Sequence, residues 1–148
     1  MILPNFKAFP AKGTLIGIDW GARRTGVAVS DPTREFVFAR GAIVAQNSDE
    51  LIGGIINLLC ETGAVGIVIG LPLRIDGTDS ETTAQVRNFA GELAHLVDLP
   101  IVFVDETLTS TAAQEQMGRV RQADIKKKLD SNSARVILEN AIAMMRRN

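Results

Sequence analysis

Two rhythms of apolar and polar positions run through this chain. The first is short and strand-like. Leu15, Ile16, Ile18 and Trp20 are followed, after Gly21-Ala22-Arg23-Arg24-Thr25-Gly26, by Val27, Ala28 and Val29. Branched and aromatic residues on both sides of a glycine-bounded polar turn predict two paired strands, the glycines permitting positive φ or close approach of another group. After a turn at Asp31-Pro32-Thr33-Arg34, residues 36–45 predict a third strand, so that a three-stranded antiparallel meander opens the fold.

The second rhythm is helical. Asn47, with Glu50 three residues on, has the form of an N-cap pair ahead of Leu51, Ile52, Ile55, Ile56, Leu58 and Leu59, and Gly63 supplies a stop. The wholly apolar run at 64–69 suits a parallel strand buried on both faces. A polar loop over 70–79 leads to a helix marked by Val86, Phe89, Ala90, Leu93 and Val97. Residues 101–104 predict a fifth strand, ending at Asp105-Glu106, and 107–117 a further helix. Residues 118–128 break the period and read as a charged loop. The last helix carries Ala134, Ile137, Leu138, Ala141, Ile142 and Met145 on one stripe, with Asp130 or Ser131 as its cap. The pattern predicts an α/β fold: meander strands, then β-α alternation, in one mixed sheet with helices on its faces.

With 148 residues, 46% of them hydrophobic, the chain suits one domain, expected over 13–148. Residues 1–12, interrupted by Pro4 and Pro10, form an extension that either docks through Phe6 and Phe9 or frays; they lack the apolar core of a signal peptide. No stretch reaches the ~20 apolar residues of a membrane span, and the expected compartment is the cytoplasm. One cysteine and one histidine exclude an intrachain disulfide and any multi-Cys or multi-His metal cluster. His95 reads as a helix-surface residue.

Three carboxylates fall at element ends: Asp19 on the first predicted strand, Glu106 after the fifth, and Asp130 at the last helix. Ligands in such sheets gather beyond the carboxyl ends of the parallel strands. If the first and fifth strands are neighbours, the three acids converge and need a cation. An oxygen-only donor set favours Mg²⁺ or Mn²⁺, and two such ions about 4 Å apart are an arrangement for phosphodiester hydrolysis. Each acid also has a plain structural role: Asp19 bonding turn amides, Asp130 as a cap, Glu106 facing a helix dipole. Strand alternation sends Asp105 to the other face, leaving Glu106 for the site. Asp31, Asp76 and Asp79 read as turn residues.

Net charge is only −1, so any case for nucleic acid rests on local charge. Residues 119–128 hold Arg119, Arg121, Lys126, Lys127 and Lys128 against Asp124 alone, and lead into Asp130. Such a run is ordinarily a solvated loop; beside a carboxylate cluster it suits the holding of a phosphate backbone. Arg23, Arg24 and Arg74 could extend that rim. No aromatic platform interleaves with these charges, so backbone and shape recognition is expected rather than base reading.

GIDWGARRTGVAVSD, GLPLRIDGTDS, VDETLTSTAA and LDSNSARVILE follow in the order and spacing of the YqgF family, which the chain resembles over nearly all of its length after residue 12. The family consists of ribonuclease H-like proteins described as Holliday junction resolvases and as nucleases maturing the 5′ end of pre-16S ribosomal RNA. The resemblance implies a ribonuclease H-like nuclease domain and puts Asp19, Glu106 and Asp130 on the family's acidic trio. Thr107 stands where the family usually has Arg, which bears on a phosphate contact and not on the metal site. Trp20 replaces the usual Phe. Two other readings stand beside a metal-dependent endonuclease. Asp-x-Gly followed by Thr and Gly also resembles the phosphate loop of actin and sugar-kinase ATPases, though 148 residues leave room for only one of their two lobes. A non-catalytic nucleic-acid-binding factor in translation or transcription is the third. Junction DNA and ribosomal RNA precursor stay open as substrates, and with them monomer and homodimer, since resolving a junction needs two sites.

Overall fold

The computed structural model describes the backbone of residues 1–105 and 122–147, and the side chains of 1–105 and 133–147. The elements are β1 (Ile2–Leu3), β2 (Leu15–Asp19), β3 (Arg24–Ser30), β4 (Val37–Val44), α1 (Ser48–Thr62), β5 (Gly66–Leu71), α2 (Glu81–Leu96), β6 (Ile101–Asp105) and α3 (Gln122–Arg147). The strands form one mixed sheet in the order β1-β6-β5-β2-β3-β4. β1, β6, β5 and β2 are mutually parallel, and β2, β3 and β4 are the predicted meander.

One expectation fails here. β2 and β6, the first and fifth predicted strands, are not neighbours: β5 lies between them, pairing Ile69 with Ile18 on one side and with Phe103 on the other. The first crossover, through α1, returns directly beside β2. The second, through α2, therefore adds β6 on the outside. β1 then extends the parallel edge, Ile2 pairing with Ile101, and Phe9 is buried, so the N-terminal segment docks.

Alternation along the strands gives the sheet two apolar faces. Ile16, Ile18, Val27, Val29, Ile67 and Ile69 meet α1 and α2, which contribute Leu51, Ile55, Leu59, Val86, Phe89 and Leu93. Leu15, Ala28, Val68, Val102 and Val104 meet α3, through Ala134, Ile137, Leu138, Ala141 and Ile142. The caps explain where the helices start and stop. The Asn47 side chain accepts from the Glu50 amide at 2.9 Å, and Gly63, at φ 67°, closes α1 with its amide on Leu59. Ser80 and Thr83 form a capping box at α2, and the Thr83 hydroxyl also donates to the Pro72 carbonyl at 2.6 Å, tying down the base of the 72–80 loop.

α3 overturns a second expectation. It begins at Gln122, so Lys126, Lys127 and Lys128 are helical rather than in a loop, and Asp130 and Ser131 lie inside the helix rather than capping it. Gln122-Ala-Asp-Ile-Lys-Lys-Lys-Leu contains no glycine or proline and is rich in good helix formers. Residues 106–121, including the helix predicted over 107–117, lie outside the described residues.

α3 runs antiparallel to β2. Its C-terminal end meets the β3–β4 turn near the start of β2, where Arg146 Nη2 donates to the Arg34 carbonyl at 2.9 Å and Arg34 Nε to the Gly13 carbonyl at 2.8 Å. Ala134 and Leu138 cross the middle of β2 at Gly17, where an added Cβ would stand 2.8 Å from Leu138 Cβ and 2.9 Å from the Ala134 carbonyl oxygen. Gly17 is what lets the helix lie so close. At the opposite edge, β4 changes register against β3, and Gly41 sits there at φ 82°.

Candidate active site at the carboxyl edge of the sheet

β2, β5 and β6 all end on one edge of the sheet. β3 starts and β4 ends on that edge as well. Asp19 is the last residue of β2, opposite Gly26 of β3 and next after the Ile18–Ile69 pair. Its register partners are thus Gly70 of β5 and, beyond it, Val104 of β6. Asp19 follows Leu15 and Gly17 in phase, which places it on the α3 side of the sheet, half-buried. Asp105 ends β6 in phase with Ile101 and Phe103, on the α1/α2 side. Asp105 thus lies on the face opposite Asp19; Glu106, the residue expected to reach the site in its place, lies outside the described residues.

The turn after Asp19 is built tightly. The Thr25 hydroxyl is shared between the amide and carbonyl of Gly21, each at 3.3 Å, and an added Cβ at Gly21 would fall 2.1 Å from the Arg24 carbonyl oxygen. Close approach, not positive φ, is why glycine stands at 21. The turn holds Arg23 and Arg24 exposed beside Asp19. Arg74 is exposed in the loop that follows β5, which the Leu73–Asp79 bridge and the Arg74 amide on Thr78 fold into a small hairpin. The edge therefore collects Asp19 and three of the predicted cations. A cavity of about 230 Å³ opens on its α1/α2 side, lined by Trp20, Arg23, Thr25, Asn47, Leu51 and Gln85.

The other predicted acids and cations divide. Glu106, Arg119 and Arg121 lie outside the described residues. Positions 126–128 and 130 are in the first turns of α3, with side chains outside the described residues. Among the described residues no three His, Cys, Asp or Glu side chains gather to hold a metal. Among the described residues, the predicted ligand at this edge is Asp19, an oxygen donor of the kind a hard divalent cation takes. Asp31 and Asp76 are turn residues, as expected. The hydroxyls of Thr33 and Thr78 donate to them and, with the amides of Phe36 and Thr78, hold both carboxyls below the usual range. Asp79 forms a bidentate pair with Arg87 at 2.9 and 3.1 Å. His95 is exposed in the last turn of α2.

Two residues that position or charge the structure were not foreseen. Gly17 looks like one small residue in an apolar run, and only its phase with Leu15 could have marked it as a helix crossing. Arg34 reads as a solvated turn cation but is 7% exposed, and nothing in the local pattern signals that.

A sequence profile described as "RuvX: Holliday junction resolvase" matches residues 13–144. A protein of Maridesulfovibrio salexigens named "Putative pre-16S rRNA nuclease" is 41% identical over 87% of this chain and 97% of its own length. One of Rhodopseudomonas palustris with the same name is 36% identical over 95% and 90%. Among solved structures, Thermus thermophilus RuvC in complex with Holliday junction substrate superposes with a TM-score of 0.57 at 10% identity, over 90% of this chain and 96% of that one. The yeast mitochondrial Holliday junction resolvase Ydc2 gives 0.51 at 11% identity, over 94% and 82%. At these identities the structural likeness establishes the fold: the ribonuclease H-like arrangement of the resolvases.

Proposed function

The chain belongs to the RuvX family, and from that premise we propose that it is a divalent-metal-dependent endonuclease acting on structured nucleic acid, with the 5′ end of pre-16S ribosomal RNA as its substrate. The observation that carries the reading is the crossing of α3 over Gly17. Ala134 lies above Gly17, and position 130 is one helical turn nearer the carboxyl edge. Four helical residues rise about 6 Å and two strand residues about 6.6 Å, so the antiparallel helix carries position 130 level with Asp19. Strand alternation beyond Asp105 would put Glu106 on the same face.

Asp19, Glu106 and Asp130 are the residues proposed to hold Mg²⁺ or Mn²⁺. When bound, such ions activate water and neutralise charge at the scissile phosphate. The chain's own part would be to bring the three carboxylates together at the end of β2 and beside α3. Arg23, Arg24 and Arg74 would grip neighbouring phosphates on one side, with Arg119, Arg121, Lys126, Lys127 and Lys128 on the other. No described helix is long and apolar enough to cross a membrane, in keeping with a cytoplasmic enzyme. The family's description favours four-way DNA junctions as a second substrate reading. That reading needs a homodimer, whereas a monomer suffices for the RNA.

Both readings are tested by incubating wild type and Asp19→Asn, with Mg²⁺, on a pre-16S 5′ leader and on a four-way junction. Wild type is expected to cut the leader and Asp19→Asn to lose at least about 100-fold in rate, as losses of transition-state charge stabilisation do. Its circular dichroism and melting should stay wild-type, and Mn²⁺ binding by calorimetry should weaken. Preferential junction cutting would select the second substrate. An Asp19→Asn enzyme as active as wild type would remove the site assignment.

A further inference from the structure

At the end of the sheet away from Asp19, the N-terminal segment, the β3–β4 turn and the C-terminal end of α3 enclose a cavity of about 690 Å³. Phe6 and Phe9, in edge-to-face contact at 5.4 Å between centroids, form an aromatic wall. Lys7, Arg34 and Arg146 also line it, and no carboxylate does. Arg34 is the unusual member. It sits at φ 64°, a backbone conformation costly for a side chain of its size. The residue is 7% exposed, and its guanidinium has no carboxylate partner among the described residues. Among the described residues Nε donates to the Gly13 carbonyl at 2.8 Å and Nη1 to the Met145 sulfur at 3.7 Å, while Nη2 is buried without a hydrogen-bond partner. Burial without a counter-ion also lowers its proton affinity from the usual arginine value.

A buried cation without a counter-charge is costly, and although Nη2 itself is closed off from the cavity, an anion seated there would offset the charge. We propose that this cavity is a second ligand site, taking a phosphate monoester attached to a flat ring. Three cations without an acid favour a dianion over a carboxylate, with Lys7 and Arg146 as the exposed pair that can touch it. The Phe6–Phe9 wall suits an aromatic ring, and the volume lies in the range of small-molecule pockets. The same chemistry is carried by a free 5′-mononucleotide and by the 5′-phosphate end of a nucleic-acid strand. The site does not rest on the nuclease reading.

Four methionines make the test direct, because two of them, Met144 and Met145, line the cavity. Methionine-methyl ¹³C spectra of the full chain are recorded in EDTA during titration with phenyl phosphate, with AMP and with inorganic phosphate. Saturable shifts of the Met144 and Met145 methyls by phenyl phosphate and AMP are expected, with weaker binding of inorganic phosphate. Lys7→Glu and Arg146→Glu, both at exposed positions, should weaken AMP at least about tenfold, as loss of a charge-assisted hydrogen bond does. Asp19→Asn should bind AMP as wild type does. A 5′-phosphorylated dinucleotide that competes with AMP while its 5′-hydroxyl twin does not would identify a strand end as the source; failure of both would identify free nucleotide. Absence of methyl shifts, or equal affinity in the two charge-reversed variants, would overturn the proposal.

Discussion

Replacing Gly17 by alanine would force α3 off the sheet, because both obstructing groups, a backbone carbonyl and a Cβ, are fixed to the helix itself. Overpacking of that kind costs about 1–3 kcal/mol. Two effects are expected of Gly17→Ala: a lower midpoint in urea, and a fall in cleavage larger than the residual unfolded fraction explains, since position 130 moves with the helix. Denaturation and kinetics on the same preparation check this. Wild-type kinetics in a destabilised Gly17→Ala would uncouple the crossing from catalysis. The contrast with Gly63 is instructive. There the residue serves a left-handed helix end and has nothing within 4 Å of an added Cβ, so replacing it strains a cap without moving an element.

α3 is 26 residues long, and the half that precedes Ala134 carries the lysine run. Successive positions of a helix are about 100° apart, so 126, 127 and 128 do not share one face. Replacing all three by alanine is accordingly expected to lower the log–log salt slope of RNA binding by about one or two contacts' worth, at roughly 0.7 per contact, rather than three. Filter binding across a salt series measures it, and an unchanged slope would return the run to a solvated face. The helix was legible in sequence from Ala134 onward because its apolar stripe is continuous there. Ahead of that point three consecutive lysines mask the spacing of Ile125 and Leu129, four residues apart, and Asp130-Ser131 imitates a cap. The local chemistry at 130–131 is compatible with a helix start, but the helix runs through it.

The tertiary route of the chain decides which groups can reach the carboxyl edge. α2 starts there, at Ser80, and descends to β6 at the opposite edge, so His95 lies about 21 Å along the helix axis from Glu81. Cleavage is expected to rise with pH through the mildly alkaline range as metal-bound water ionises; His95→Ala should leave that rise in place, and exchange of Mg²⁺ for Mn²⁺ should move it to lower pH. Rate profiles in the two metals check both, and a profile that collapses in His95→Ala would place a protein base in the reaction. The strands β2 to β6, helices α1 and α2, the meander and Asp19's place at a strand end could be read from periodicity, because each depends on a few neighbouring residues, whereas β1, two residues long, has no pattern of its own. The neighbour order of β2, β5 and β6 could not, since it depends on which side each crossover returns. Arg34's burial depends on three segments meeting: residues 6–11, the β3–β4 turn and the end of α3.

Trp20, the only tryptophan in the chain, follows Asp19 directly and is half-buried against the α1/α2 core. The two ends of the molecule are therefore optically distinct without any label. Paramagnetic Mn²⁺ held at Asp19 would quench indole emission, and a strand laid over the Arg23–Arg24 turn would shift it. A ligand seated among Phe6, Phe9 and Arg34 would leave the emission dark to its arrival, so fluorescence reports one end of the sheet and stays silent about the other.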